Sequence, residues 1–140
     1  MKRLKKSKAN LFMVMTGCCL FLVMSCNKYE EGPALSLRSR TERVANTWKI
    51  DNYKVNETDV TSLVSGYTET FTKSGGYSYN WGSESGTGTW RFRNHDEEIE
   101  LTGTDNQGNH TLHILKLEEK EFWYYYLEDG DKHEFHMIEN

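Results

Sequence analysis

The stretch HTLHILKLEEKEFWYYYLEDGDKHEFHMI, residues 110–138, decides the fold. It holds three runs rich in apolar and aromatic residues: 110–117 and 132–138, where these mix with polar ones, and 120–127, where Phe122 to Tyr126 must place rings on both faces. A period of two places successive side chains on opposite faces of a strand. The breaks between the runs, Glu118-Glu119 and Asp129-Gly130-Asp131, have the length and composition of hairpin turns. The stretch therefore predicts three consecutive antiparallel strands. Their core candidates are Leu112, Ile114, Phe122, Tyr124, Phe135 and Met137, or the opposite face of each strand.

The same pattern reaches back to Thr47. Strands are expected near 47–55, 66–72, 76–81, 87–93 and 97–103. Turns fall at Lys73-Ser74-Gly75, Gly82 to Gly86, Asn94-His95-Asp96 and Thr104 to Asn109. A longer link, Asn56 to Ser65, has room for a helical turn over Thr58 to Leu63. No segment after Thr47 has the length and period of a crossover helix, which argues against a parallel sheet. Eight short strands joined by hairpins predict an all-β fold: an eight-stranded antiparallel up-and-down barrel, in which closure removes exposed edges. A two-sheet sandwich fits the same strands. Arg38 to Asn46 predicts a short N-terminal helix with Ser39 or Thr41 as its cap.

The first ten residues carry Lys2, Arg3, Lys5, Lys6 and Lys8 and no acid, and Leu11 to Met24 is almost wholly apolar. This is the order of an export signal. The apolar run is 14 residues long, whereas a membrane-spanning helix needs about 20. Its exit, Val23-Met24-Ser25-Cys26, resembles the lipobox of bacterial lipoproteins. The resemblance implies that residues 1–25 are cleaved and that Cys26 carries acyl chains; several chains on one cysteine give stable anchoring. Cys18 and Cys19 leave with the leader, so the remaining chain forms no internal disulfide. Residues 26–37 form a lipidated tether and 38–140 the domain. Lys28-Tyr29-Glu30-Glu31 is similar to the charged signals that follow the lipidated cysteine of some Gram-negative surface lipoproteins, which implies the outer membrane.

Charge points the same way. The chain has 17 basic and 21 acidic residues, a net of −4; losing the five basic residues of the leader leaves 12 against 21, a net of −9. So acidic a protein is a poor partner for nucleic acid or anionic headgroups, which leaves the lipid to hold it at the membrane.

Asn46-Thr47-Trp48-Lys49-Ile50 resembles the G-x-W opening of lipocalins, with Asn46 in place of the glycine. Gly66 to Tyr77 (GYTETFTKSGGY), Gly86 to Phe92 (GTGTWRF), Ile114-Leu115-Lys116-Leu117 and Glu121-Phe122-Trp123 follow in the order of the short lipocalin-like domain of bacterial envelope lipoproteins. The resemblance spans about residues 40–138. It implies a lipocalin-like barrel; a packed core is the simpler reading of its interior, and a small apolar or amphipathic ligand bound at one mouth is the sharper one.

Alternation places Trp48 with Ile50, then Phe71, Tyr77 with Tyr79, Trp90 with Phe92, and Ile99 with Leu101 on one face. Such large residues tend to fill an eight-stranded barrel, which is just wide enough for side chains or one small ligand. Trp48, Glu69, Phe71, Tyr79 and Trp90 are the candidate ligand contacts. Glu69 departs most from pattern: it stands where an aliphatic residue is commoner, on the face of Tyr67 and Phe71. A buried carboxylate needs a partner or a proton. Arg91 and Arg93 lie opposite Trp90 and Phe92, so the simpler reading puts Glu69 at a rim, in water. In Phe122 to Tyr126 one set of rings is core; the other, Trp123 and Tyr125, is either a partner surface or is covered by the N-terminal helix.

Metal and catalytic signals are weak. His110 and His113, like His133 and His136, are three apart, which on a strand places each pair on opposite faces. No serine sits in a nucleophile elbow, and no two carboxylates form a glycosidase pair. The expectation is a non-enzymatic, cofactor-free envelope lipoprotein. It binds a small hydrophobic molecule, or else serves as an interaction or structural component of an envelope complex with a filled barrel. Protein extracted from membranes should show an intact mass lacking residues 1–25 and bearing acyl chains on Cys26. A retained leader with a free thiol overturns this reading.

Overall fold

A computed structural model describes residues 37–140; the leader, Cys26 and residues 27–36 of the tether lie outside the described residues. From Thr47 onward the period-two pattern forms nine strands: β1 (Thr47–Val55), β2 (Thr58–Asp59), β3 (Thr68–Phe71), β4 (Gly76–Trp81), β5 (Glu84–Arg93), β6 (Glu98–Asp105), β7 (His110–Leu117), β8 (Glu121–Glu128) and β9 (Asp131–Glu139). From β3 to β9 each strand pairs antiparallel with the next, β1 pairs with β3, and β9 returns to β1. The eight longer strands close a barrel, so the expected up-and-down architecture holds and the open sandwich does not. The ninth strand, β2, is a two-residue clip on the end of β1 through Lys54↔Asp59 and Val55↔Thr58.

Turn chemistry explains where the strands differ from expectation. Glu84 to Gly86 belong to β5 and not to a loop, because Trp81 pairs with Glu84 across a two-residue turn. Gly82 takes φ 61 there, a backbone region that glycine enters without steric cost. The link after β1 also tightens. Asn56 and Glu57 both take positive φ, as a type I′ hairpin requires, and the expected helical turn appears as a 3-10 turn over Thr61–Val64. Asp129 and Gly130 make the corresponding turn between β8 and β9.

Register irregularities reset the alternation. One lies between Ile50 and Asn52 in β1, another between Ile114 and Lys116 in β7. Each adds an unmatched residue, as a β-bulge does. Trp48 and Ile50 therefore share the interior with Tyr53, and Leu112 and Ile114 share it with Leu117, which is fully buried. Leu117 shares the face of Leu112 and Ile114 although strict alternation after Ile114 points to Lys116, because the register shifts between Ile114 and Lys116.

The two ends of the barrel differ. The turns at 72–75, 94–97 and 118–120 lie at one end, where helix α1 (Arg40–Val44) also sits. Ser39 caps α1: its hydroxyl accepts from the Glu42 amide at 3.2 Å, and the Glu42 carboxylate accepts from the Ser39 amide at 3.0 Å. The last helical residue, Val44, is fully buried, and its carbonyl accepts from the Trp48 indole at 2.9 Å. Arg40 pairs with Asp96 at 2.8 Å, tying the helix to the β5–β6 turn. Beneath this plug Phe71 meets Tyr77, Trp90 and Phe122 edge-on, with centroids 5.0, 5.8 and 5.7 Å away. Trp48 lies against Phe122 at 5.7 Å. Trp48→Ala should destabilise the fold by about 3–5 kcal/mol, since it opens a large cavity and strips the Val44 carbonyl of its donor. Urea unfolding checks this; a loss under about 1 kcal/mol would mean that the closed end is not the anchor of the core.

Candidate functional site

The opposite end carries the β1–β3 link, the turn at Gly82-Ser83, the loop 106–109 and the turn at Asp129-Gly130. Between them a cavity of about 280 Å³ opens into the barrel. Glu69 and Tyr77 lie at its floor; Tyr67, Tyr79, Tyr126 and Phe135 are among its walls, and Trp81, Glu84 and Asn106 stand at its rim. The lining comes from strands far apart in the chain, which only barrel closure brings to one mouth.

Glu69 organises the floor. It is 3 % exposed, which overturns the expectation that it sits at a rim in water. Its Oε1 accepts from the hydroxyls of Tyr67 at 2.8 Å and Tyr77 at 2.7 Å, and its Oε2 from Tyr124 at 2.8 Å. Tyr67 immediately precedes β3 and Tyr77 lies on the neighbouring β4, whereas Tyr124 reaches across the lumen from β8. The arginines weighed as partners face outward, where Arg91 and Arg93 both bind Glu100. The departure from an aliphatic residue is thus met by three hydroxyl donors and not by a cation.

Burial pushes the Glu69 carboxyl above the ordinary value of 4.5, although the bonds from Tyr77, Tyr67 and Tyr124 partly offset this. Burial, and then the Glu69 charge, drives the hydroxyls of Tyr67, Tyr77 and Tyr124 above their ordinary 10. At neutral pH these phenols remain neutral donors. Burial also lowers His110, whose ring lies 4.3 Å from that of Tyr126.

Tyr79 is set by its strand partner. It pairs directly with Gly86, and a Cβ at Gly86 would lie 2.4 Å from the Tyr79 ring. The missing side chain lets the ring lie over the β5 backbone, with its hydroxyl donating to the Asn106 carbonyl at 3.0 Å. Tyr67 stacks beside it at 6.0 Å.

Of the five expected ligand contacts, the structure brings Glu69 and Tyr79 to the cavity. Trp48, Phe71 and Trp90 share their inward face but sit deeper, in the packed closed end, with at most 7 % exposure. Their depth keeps them out of the mouth: each lies near the end of its strand remote from the opening. Tyr124 is an expected inward residue, but no local signal foretells its bond to Glu69, 55 residues away.

Outside the barrel, Trp123 stacks on His136 at 4.0 Å with Lys116 over its ring, and Tyr125 stacks on His113 at 4.7 Å. The neighbouring strands cover these rings, while α1 occupies the closed end. No cluster of three metal-ligating side chains occurs among the described residues.

Glu69→Leu should cost about 2–4 kcal/mol, because three buried hydroxyls lose their acceptor. Glu69→Gln keeps an acceptor and should cost less. The raised carboxyl makes a stabilising contribution that is fully present below pH 4.5 and is lost as pH rises through its folded value. The stability difference between wild type and Glu69→Gln should therefore shift against wild type as pH rises above 4.5, in urea melts at several pH values. A difference independent of pH would show that Glu69 titrates normally.

No protein-family model matches the chain, and no curated protein does either. Among solved structures, the chain is similar to a DUF4847 family protein from Bacteroides vulgatus ATCC 8482, determined at 1.00 Å resolution. The two share 12 % identity and superpose with a TM-score of 0.50 over 70 % of this chain and 94 % of the other. At that identity the likeness is one of fold.

Proposed function

We propose that this chain is a lipid-anchored, lipocalin-like binding module of the cell envelope, with a non-catalytic site for one small amphipathic molecule at its mouth.

 The observation that carries this reading is the half-open interior. One end is packed solid by Trp48, Phe71, Trp90 and Phe122, while the other keeps a cavity of about 280 Å³. That volume sits near the lower bound of small-molecule sites, about 300 Å³, and suits one compact ligand. Aromatic walls supply apolar contact, and Glu69 with its three tyrosine donors supplies a polar end that fixes orientation.

The reading as a binder and not an enzyme rests on the state of the polar groups. The tyrosines are held neutral, and the carboxylate is already engaged by three donors. Membrane attachment rests on the leader and on Cys26, outside the described residues. The described chain enters the barrel beside α1, at the closed end.

A second reading has its own support. Leu63, Trp81 and Leu127 are 68, 38 and 63 % exposed, and all lie toward the mouth end. Scattered exposed apolar residues at one end suit contact with another envelope protein. Native mass spectrometry of the protein extracted from its own membranes separates the two. A bound small molecule, lost from a Tyr79→Ala variant, is the expected result; an empty barrel that co-purifies with a protein partner would favour the second reading.

A further inference from the structure

We propose that the mouth cavity selects a small organic cation: an ammonium group on a compact apolar body, with its charge held between Glu69 and the tyrosine rings. The inference rests on the reading of the mouth as a binding site and names the class of ligand it takes.

Charge is the first argument. The carboxylate-bearing residues lining the cavity are Glu69 at the floor and Glu84 at the rim, and neither lysine nor arginine is among the described lining residues. His110 adds no positive charge at neutral pH, since burial lowers its affinity for a proton. An anionic ligand such as a fatty carboxylate would bring a second negative charge into a desolvated space beside Glu69. A cation meets the opposite situation.

The walls are the second argument. Tyr67, Tyr77, Tyr79, Tyr124 and Tyr126 all line one small space, with Trp81 at its edge. Aromatic faces carry the negative part of the ring quadrupole and attract a desolvated cation. Rings that surround a space on several sides suit a rounded ammonium group better than a flat hydrocarbon.

Hydrogen bonding is the third. A carboxylate offers about four acceptor positions. Tyr67 and Tyr77 occupy two on Oε1 and Tyr124 one on Oε2, so among the described residues one position on Oε2 remains for a donor. An ammonium N–H supplies that donor. Burial raises the affinity of the Glu69 carboxyl for a proton, and a cation beside it favours the carboxylate.

The test uses the full chain purified in a non-ionic detergent and three probes of matched size: 2-phenylethylammonium, 2-phenylethanol and 3-phenylpropionate. Isothermal titration calorimetry should show the ammonium binding about tenfold or more tighter than the alcohol, and the propionate weakest. Glu69→Gln should bring the ammonium close to the alcohol. Glu84→Gln, at the exposed rim and independent of the buried network, should weaken the ammonium alone by about two- to threefold; it keeps the test open if Glu69→Gln fails to fold. An alcohol or propionate that matches the ammonium overturns the cation assignment and leaves the mouth as a binding site. Failure of all three probes to bind overturns both.

Discussion

The hydrogen bonding of β1 to β9 is the constraint on which the remainder depends. A meander of eight strands ends in two open edges, and an open edge exposes a row of unpaired backbone donors and acceptors. Here β9 runs antiparallel to β1 from Trp48↔Glu139 to Val55↔His133, and the edges disappear. Because β1 is long, its first residues also pair with β3 and its last with β2, so one strand serves both the barrel seam and the mouth. The irregularity between Ile50 and Asn52 lets it do so, turning Tyr53 inward against Phe135, 4.5 Å away.

Closure creates an interior with two chemistries. At the α1 end, large rings meet edge-on and leave no room for a ligand, and the buried Trp48 indole finds its acceptor in the Val44 carbonyl. Toward the mouth the rings are tyrosines, and their hydroxyls converge on Glu69. A carboxylate alone in an apolar barrel would be costly; three donors offset much of that cost and fix the positions of Tyr67, Tyr77 and Tyr124 together. The same residue that organises the floor of the cavity therefore couples strands on opposite sides of the barrel.

The outside of the barrel is polar in a different way. Glu134 binds Lys132 at 2.6 Å and His136 at 2.8 Å, and His136 stacks on Trp123. Glu134 is buried within this cluster and Lys132 and His136 are half-buried around it; the stacked rings shield their strands and leave few bare apolar faces along the wall. Of the exposed large apolar residues among those described, Leu63, Trp81 and Leu127 lie beside the opening, and Leu37 precedes α1 at the other end.

Much of this architecture is legible in the chain itself. Period-two alternation names Trp48, Ile50, Phe71, Tyr77, Tyr79, Trp90, Phe92, Ile99, Leu101, Leu112, Ile114, Phe122, Tyr124, Phe135 and Met137 as one face; all are buried except Ile50, Tyr79 and Phe92, which pack half-buried against the rest. Short polar breaks give hairpins, and a serine three residues before a glutamate marks the start of α1. These features are local, so a window of a few residues reads them. The bulges at Ile50/Asn52 and Ile114/Lys116, the depth of each inward side chain and the meeting of Tyr124 with Glu69 are not local. Alternation says in or out but not how far along the barrel axis, which depends on the register of all eight strands together. For that reason the sequence by itself determined the strands and their inner face, while the tertiary structure alone decided that Glu69 is buried among tyrosines and that Tyr79, but not Trp48, Phe71 or Trp90, faces the cavity.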